Sequence, residues 1–176
     1  LLRIRGTRVR GERGQSVIEF TLVGIPVIFV LISTFEMARG MWTYDTLAHC
    51  VREGVRYASV RGYLYADSTE RTPTLAEAAR RVRETGVGLD PTLLQLTWTA
   101  GTGASAVSYS CSLAECLQET SRQWPPPGLN MPWTVIGLRA EYPFRSAIAM
   151  FWPGAGSVNV FPAFRLPASA SEEIHF

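Results

Sequence analysis

The spacing of apolar and polar positions divides the chain at about residue 62. From Val17 to Phe35 apolar side chains follow one another with few interruptions, and only Glu19 carries a charge. As a helix that stretch extends about 28 Å at about 1.5 Å per residue, close to the thickness of a bilayer's hydrocarbon core. The pattern then changes without a break. Met37, Met41, Tyr44, Leu47, Ala48, Val51, Val55 and Ala58 recur at intervals of three and four, while Arg39, Asp45, Arg52, Glu53 and Arg56 fall largely elsewhere on the wheel. One long helix is expected over about 15–61, membrane-spanning over 15–36 and amphipathic over 37–62, with Gly62 as its terminator. Gly24 and Pro26 lie inside it. Proline removes one backbone hydrogen bond and tends to kink or locally melt a helix, a defect that neighbours in a membrane bundle tolerate.

Beyond Gly62 the periods shorten and mix, as expected of a small α+β body over 63–176. Residues Tyr63 to Pro73 read as a loop. Thr74-Leu75-Ala76-Glu77 is a capping box, and Leu75, Ala78, Ala79 and Val82 form a short apolar stripe that ends at Gly86. Leu94 to Trp98 alternates as a strand does. Gly101 to Ser110 is rich in Gly, Ser and Ala and reads as a loop or an irregular sheet edge. Trp124-Pro125-Pro126-Pro127-Gly128 is a stiff connector. Val135 to Phe144 alternates, with Ile136, Leu138, Ala140 and Tyr142 on one face and Arg139 and Glu141 on the other, and so predicts a half-buried strand. Ser146 to Trp152 reads as a helical turn. Ser157–Phe161 and Arg165–Ser171 are weaker strand candidates, and Pro162 and Pro167 place them at edges or bends. The expectation is one short helix and three or four antiparallel strands packed on the outer half of the long helix.

Charge refines this division. The net charge is only +2, and the N-terminal stretch holds Arg3, Arg5, Arg8, Arg10 and Arg13 against a single Glu12. A basic flank stays on the cytoplasmic side, so the body is expected on the opposite face of the membrane. The body itself is near neutral, which argues against a nucleic-acid partner. A cleaved secretory signal is the rival reading of the N-terminus. The apolar run is long for one, however, and Glu36 to Trp42 lacks a convincing small-x-small site and instead resumes helical patterning.

Candidate chemistry is sparse. His49, His175, Cys50, Cys111 and Cys116 lack metal-ligand spacing, and neither a metal nor any other cofactor is expected. No nucleophile, base and acid group by motif, and no glycine loop precedes a helix to hold phosphate. Cys111-Ser-Leu-Ala-Glu-Cys116 suggests a local disulfide in an oxidising compartment; otherwise the two are small buried apolar residues. Cys50 is expected to pack on a helix face.

Glu19 requires a reason. A charge at the centre of a membrane helix costs roughly 2.5 to 3.5 kcal/mol, and less near the edge, where a glutamate can reach the headgroups. Alternatively it takes a positive partner, such as a backbone amine freed by removal of the leader. Gly14 followed by Gln15-Ser16-Val17-Ile18-Glu19-Phe20 resembles the type IV prepilin processing motif. The longer context, with its basic leader, Pro-containing span and Val51-Arg52-Glu53-Gly54-Val55-Arg56-Tyr57-Ala58-Ser59, is similar to the TadE-like pseudopilins of tight adherence (Tad/Flp) systems. Glu141-Tyr142-Pro143-Phe144 and Ala168-Ser169-Ala170-Ser171 are similar less specifically, and residues 105–132 match no pattern of the family.

The resemblance implies a non-enzymatic minor pilin or pseudopilin of a Flp-type pilus. Its leader, 1–14, would be cut by an inner-membrane prepilin peptidase between Gly14 and Gln15. Glu19 and Phe20 would serve subunit assembly, with Glu19 pairing the new amine of its own or a neighbouring subunit. The implied partners are the peptidase, other pilins, the Tad assembly machinery and the inner membrane. The body would be periplasmic or carried on a pilus. An uncut signal-anchored binding or adhesion protein and a membrane-tethered enzyme are the alternatives.

Overall fold

The computed structural model describes residues 12–62, 72–146 and 164–175. Most of the basic leader, the 63–71 loop, nearly all of the turn expected at 146–152 and the strand expected at 157–161 lie outside the described residues.

One helix, α1 (Glu12–Val60), dominates, and Pro26 lies within its unbroken length. Its hydroxyl residues stay inside the helix. Thr21 Oγ1 donates to the Ile18 carbonyl at 2.9 Å, Ser33 Oγ to Phe29 at 2.8 Å and Thr34 Oγ1 to Val30 at 2.8 Å. Each hydroxyl thus finds an acceptor without water, which suits an apolar surrounding.

The second helix, α2 (Leu75–Thr85), starts as its sequence dictates. Glu77 N–H donates to Thr74 Oγ1, and the Glu77 carboxylate accepts from Thr74 N–H in return. Its buried stripe of Leu75, Ala78, Ala79 and Val82 packs on the outer half of α1. Strands β1 (Gln95–Ala100), β2 (Val107–Ser112), β3 (Val135–Phe144) and β4 (Phe164–Glu173) form one antiparallel sheet in the order β2-β1-β3-β4. Together they make the α+β body expected from the pattern. Pro167 sits in β4, an edge strand, where its missing N–H costs no ladder bond. On β3, Arg165 of the neighbouring strand and Arg139 both bond Glu141 and hold its carboxyl below its usual pKa.

Of the two readings of Gly101–Ser110, the sheet edge holds for its second half: after a 3-10 turn at Gly103–Ser105 the chain enters edge strand β2 at Val107. Much of this strand is exposed until Cys111, so no buried face marks it in the sequence. The body covers only the outer part of the apolar stripe of α1. Met37, Met41 and Tyr44 are exposed, and burial begins at Leu47, continuing through Cys50, Val51, Val55 and Ala58.

Residues 105–132, which match no pattern of the resembled family, contribute Cys111, Leu113, Cys116 and Trp124 to the core. Cys111 and Cys116 are joined by a disulfide with Cα atoms 5.7 Å apart. Between them stands a single helical turn, α3 (Leu113–Cys116), with its own capping box of Ser112 and Glu115. Trp124, beside the proline run, is buried edge-to-face against Trp98 with ring centroids 6.1 Å apart.

Candidate functional site: the exposed half of the long helix

Packing gives α1 two unequal halves. From Leu47 onward it is a core element, because α2, β3 and β4 cover it. Glycine permits the closest crossing. A Cβ at Gly54 would lie 2.6 Å from Val82 Cγ2 and 3.2 Å from Leu138 Cδ2. Before Leu47 the surface is apolar and open: Val17, Ile18, Leu22, Phe29 and Leu31 are all more than half exposed, and Phe20 is 77% exposed. Among the described residues this is the one helix long and apolar enough to cross a membrane, with none of its apolar window buried. It is compatible with a single-pass anchor.

The residues singled out in the sequence lie at the start of this half. Gly14, Gln15, Glu19 and Phe20 all fall within α1. Gln15 and Glu19 are one turn apart on the same face, and Gln15 Nε2 donates to Glu19 Oε1 at 3.0 Å. The sole charge of the apolar run is therefore held by the side chain of the residue that follows Gly14. The spacing of four was the signal for this contact.

At the far end of the apolar run, Glu36 is half-buried and pairs with Arg39 at 3.0 Å. The Arg39 guanidinium also lies 4.5 Å from the Phe144 ring centroid and donates to the Arg145 carbonyl. The end of β3 is thereby tied to α1 one turn beyond Phe35.

Elsewhere the body offers little reactive chemistry. Among the described residues no three His, Cys, Asp or Glu side chains gather as a metal site. A groove of about 440 Å³ at the distal end is lined by Arg56, Ser59, Glu172 and His175. There Ser59 is 6% exposed and its hydroxyl donates to Glu172 at 2.7 Å, latching α1 to β4 rather than presenting a nucleophile. Cys50 is fully buried on α1, where loss of solvent pushes its thiol up to about 11.

The geometry defines a class first: a small α+β body built around the outer half of a helix whose other half is apolar, exposed and long enough to cross a membrane. Residues 14–56 match the family model described as TadE-like protein. The matched stretch begins at Gly14, takes in the whole apolar run and ends inside the body's core; it leaves the sheet outside. No curated protein and no solved structure matches the chain.

Proposed function

We propose that this chain is a non-enzymatic minor pilin or pseudopilin of a Tad/Flp-type pilus, cut by a prepilin peptidase between Gly14 and Gln15. The observation that carries the reading is the TadE-like match, which starts at Gly14 and follows one unbroken helix from the apolar run into the body. In this reading residues 1–14 stay cytoplasmic, 15–36 span the inner membrane, 37–62 extend the helix, and 63–176 form a body in the periplasm or on the pilus. Cleavage creates an amine at Gln15. The 3.0 Å contact from Gln15 to Glu19 supports the idea that this carboxylate lies within reach of the new terminus. The same carboxylate can serve the amine of a neighbouring subunit, and exposed Phe20 beside it supplies apolar surface for helix-on-helix packing.

Mass spectrometry of the N-terminus tests this in cells with and without the peptidase. The expected mature chain starts at Gln15 only where the peptidase is present. A leader that persists in competent cells overturns processing and favours an uncut signal-anchored binding or adhesion protein.

A further inference from the structure

The sheet register brings one end of the body to the level where α1 leaves its apolar run. Strand β3 descends toward that level and β4 starts from it, since Phe144 pairs with Phe164 and Val135 with Glu173. Gly40 of α1 faces the Phe144 ring, which a Cβ at this position would meet at 3.6 Å, whereas Gly62 at the other end faces Ile174. Gly40 is about 7.5 Å beyond Phe35 at about 1.5 Å per residue. A headgroup layer is roughly 5–8 Å deep on each side of a bilayer. This end of the body therefore stands at headgroup height if the apolar run fills the hydrocarbon core.

The residues found there suit that height. A cleft of about 500 Å³ is lined by Arg39, Trp42, Val87, Leu93, Phe144 and Arg145, among others. Trp42 is 68% exposed and Val87 67% exposed, and Phe164 stands open nearby in the strand order. Trp at the boundary and Arg beside it are the side chains that favour a bilayer interface. The local carboxylates are committed elsewhere: Glu36 to Arg39, Glu141 to Arg139 and Arg165, and Asp90 to Thr92 N–H at 2.9 Å. Arg145 is exposed and forms no ion pair among the described residues. The chain also leaves and rejoins the described fold here, between Ser146 and Phe164, and the intervening sequence 147–163 contains no ionisable side chain.

We propose that this end of the body docks on the headgroup layer of an anionic phospholipid bilayer, with Arg145 holding a lipid phosphate in the cleft beside Trp42 and Phe144, whose ring the Glu36-paired Arg39 already covers. The docking rests on the reading of 15–36 as a membrane span. It explains why Met37, about 3 Å beyond Phe35 along the helix, is apolar yet uncovered by the sheet: its covering is the headgroup layer. It also holds the body at one tilt relative to the membrane, which a single helix alone does not do.

The test uses the full chain in nanodiscs carrying one copy each, made of phosphatidylcholine with increasing phosphatidylglycerol. Cys50 is buried and the other two cysteines are bonded to each other, so a cysteine introduced by Val87→Cys accepts an environment-sensitive dye selectively. Headgroup-spin-labelled lipid is expected to quench the dye at Val87→Cys and not at Ser105→Cys, on the distal turn. Arg145→Gln is expected to raise the phosphatidylglycerol fraction giving half-maximal quenching about fivefold, the worth of one interfacial arginine, while Arg139→Gln leaves it unchanged. Equal quenching at 87 and 105 overturns the docking, provided a dye at Phe35→Cys is still quenched by acyl-chain spin labels. If that third dye is not quenched, the membrane reading itself falls. Shielding at Val87 only in discs holding two copies assigns the face to a second copy and likewise overturns the proposal.

Discussion

Replacing Gly54 by alanine sets helix propensity against packing in the core. Alanine in a helix interior is favoured over glycine by about 0.8–1.0 kcal/mol, so propensity alone predicts stabilisation. The new Cβ, however, would stand 2.6 Å from Val82 Cγ2, 3.2 Å from Leu138 Cδ2 and 3.7 Å from Trp98 Cη2. Carbon atoms pack best at about 3.5–4.0 Å, so α1 and α2 must part by about 1 Å or the side chains must leave their rotamers. Val82, Leu138 and Trp98 are all buried, which leaves them no free direction. Overpacking of this kind costs about 1–3 kcal/mol. Packing at least cancels the propensity gain, leaving a net loss of up to about 2 kcal/mol and a fall in Tm of up to about 6 °C for a chain of this size. Gly40→Ala is the internal control, because its Cβ would meet only Phe144, at 3.6 Å or more. It keeps the propensity gain and should raise Tm by about 2–4 °C. The readout is near-UV circular dichroism of the buried Trp98 and Trp124 pair, followed through thermal unfolding in detergent. Adding Val82→Ala to Gly54→Ala should cost less than the sum of the two single changes. A Gly54→Ala variant as stable as Gly40→Ala would refute the close crossing.

Three further outcomes follow from the body. Cys111→Ala with Cys116→Ala opens a short loop and should lower stability by about 2 kcal/mol, with the wild-type chain losing a similar amount on reduction, read by the same unfolding signal. Thr74→Ala removes the acceptor for Glu77 N–H and should cost about 1 kcal/mol, visible as a lower Tm; Thr74→Ser should keep most of it. Cys50 should resist alkylation in the folded chain. Because its folded pKa is raised from 9.0 to about 11, its contribution to stability is complete below pH 9 and is lost as pH rises through 11. Cys50→Ala should remove that part of the alkaline slope.

The parts of the fold that one period describes were legible in the sequence. Helix α1, the capped helix α2 and strand β3 each repeat a pattern set by one buried face. Strand β2 was legible only as one of two readings, loop or sheet edge, because an edge strand of Ser and Tyr with its first residues in solvent has no such face to encode. Trp124 was hidden for a different reason. It is a single buried ring in an irregular stretch between polar residues and three prolines, and one residue has no period. Met37, Met41 and Tyr44 mark a third limit. Their apolar spacing is real, but a stripe that meets a sheet and a stripe left exposed have the same pattern. At the candidate site, Gly14, Gln15 and Glu19 were singled out by motif, and the hydrogen bond between the last two requires only the helical spacing that the apolar run had already implied.

The unbroken course of α1 has a mechanical consequence. The helix is at once the apolar rod and a wall of the body's core, with Leu47, Cys50, Val51 and Val55 locked under α2 and the sheet. No linker lies between the two roles to absorb slack. Drawing the rod outward by one turn, about 5.4 Å, carries the whole body the same distance, and twisting it turns the sheet through the same angle. A machine that grips only the apolar half therefore handles the entire subunit as one stiff lever.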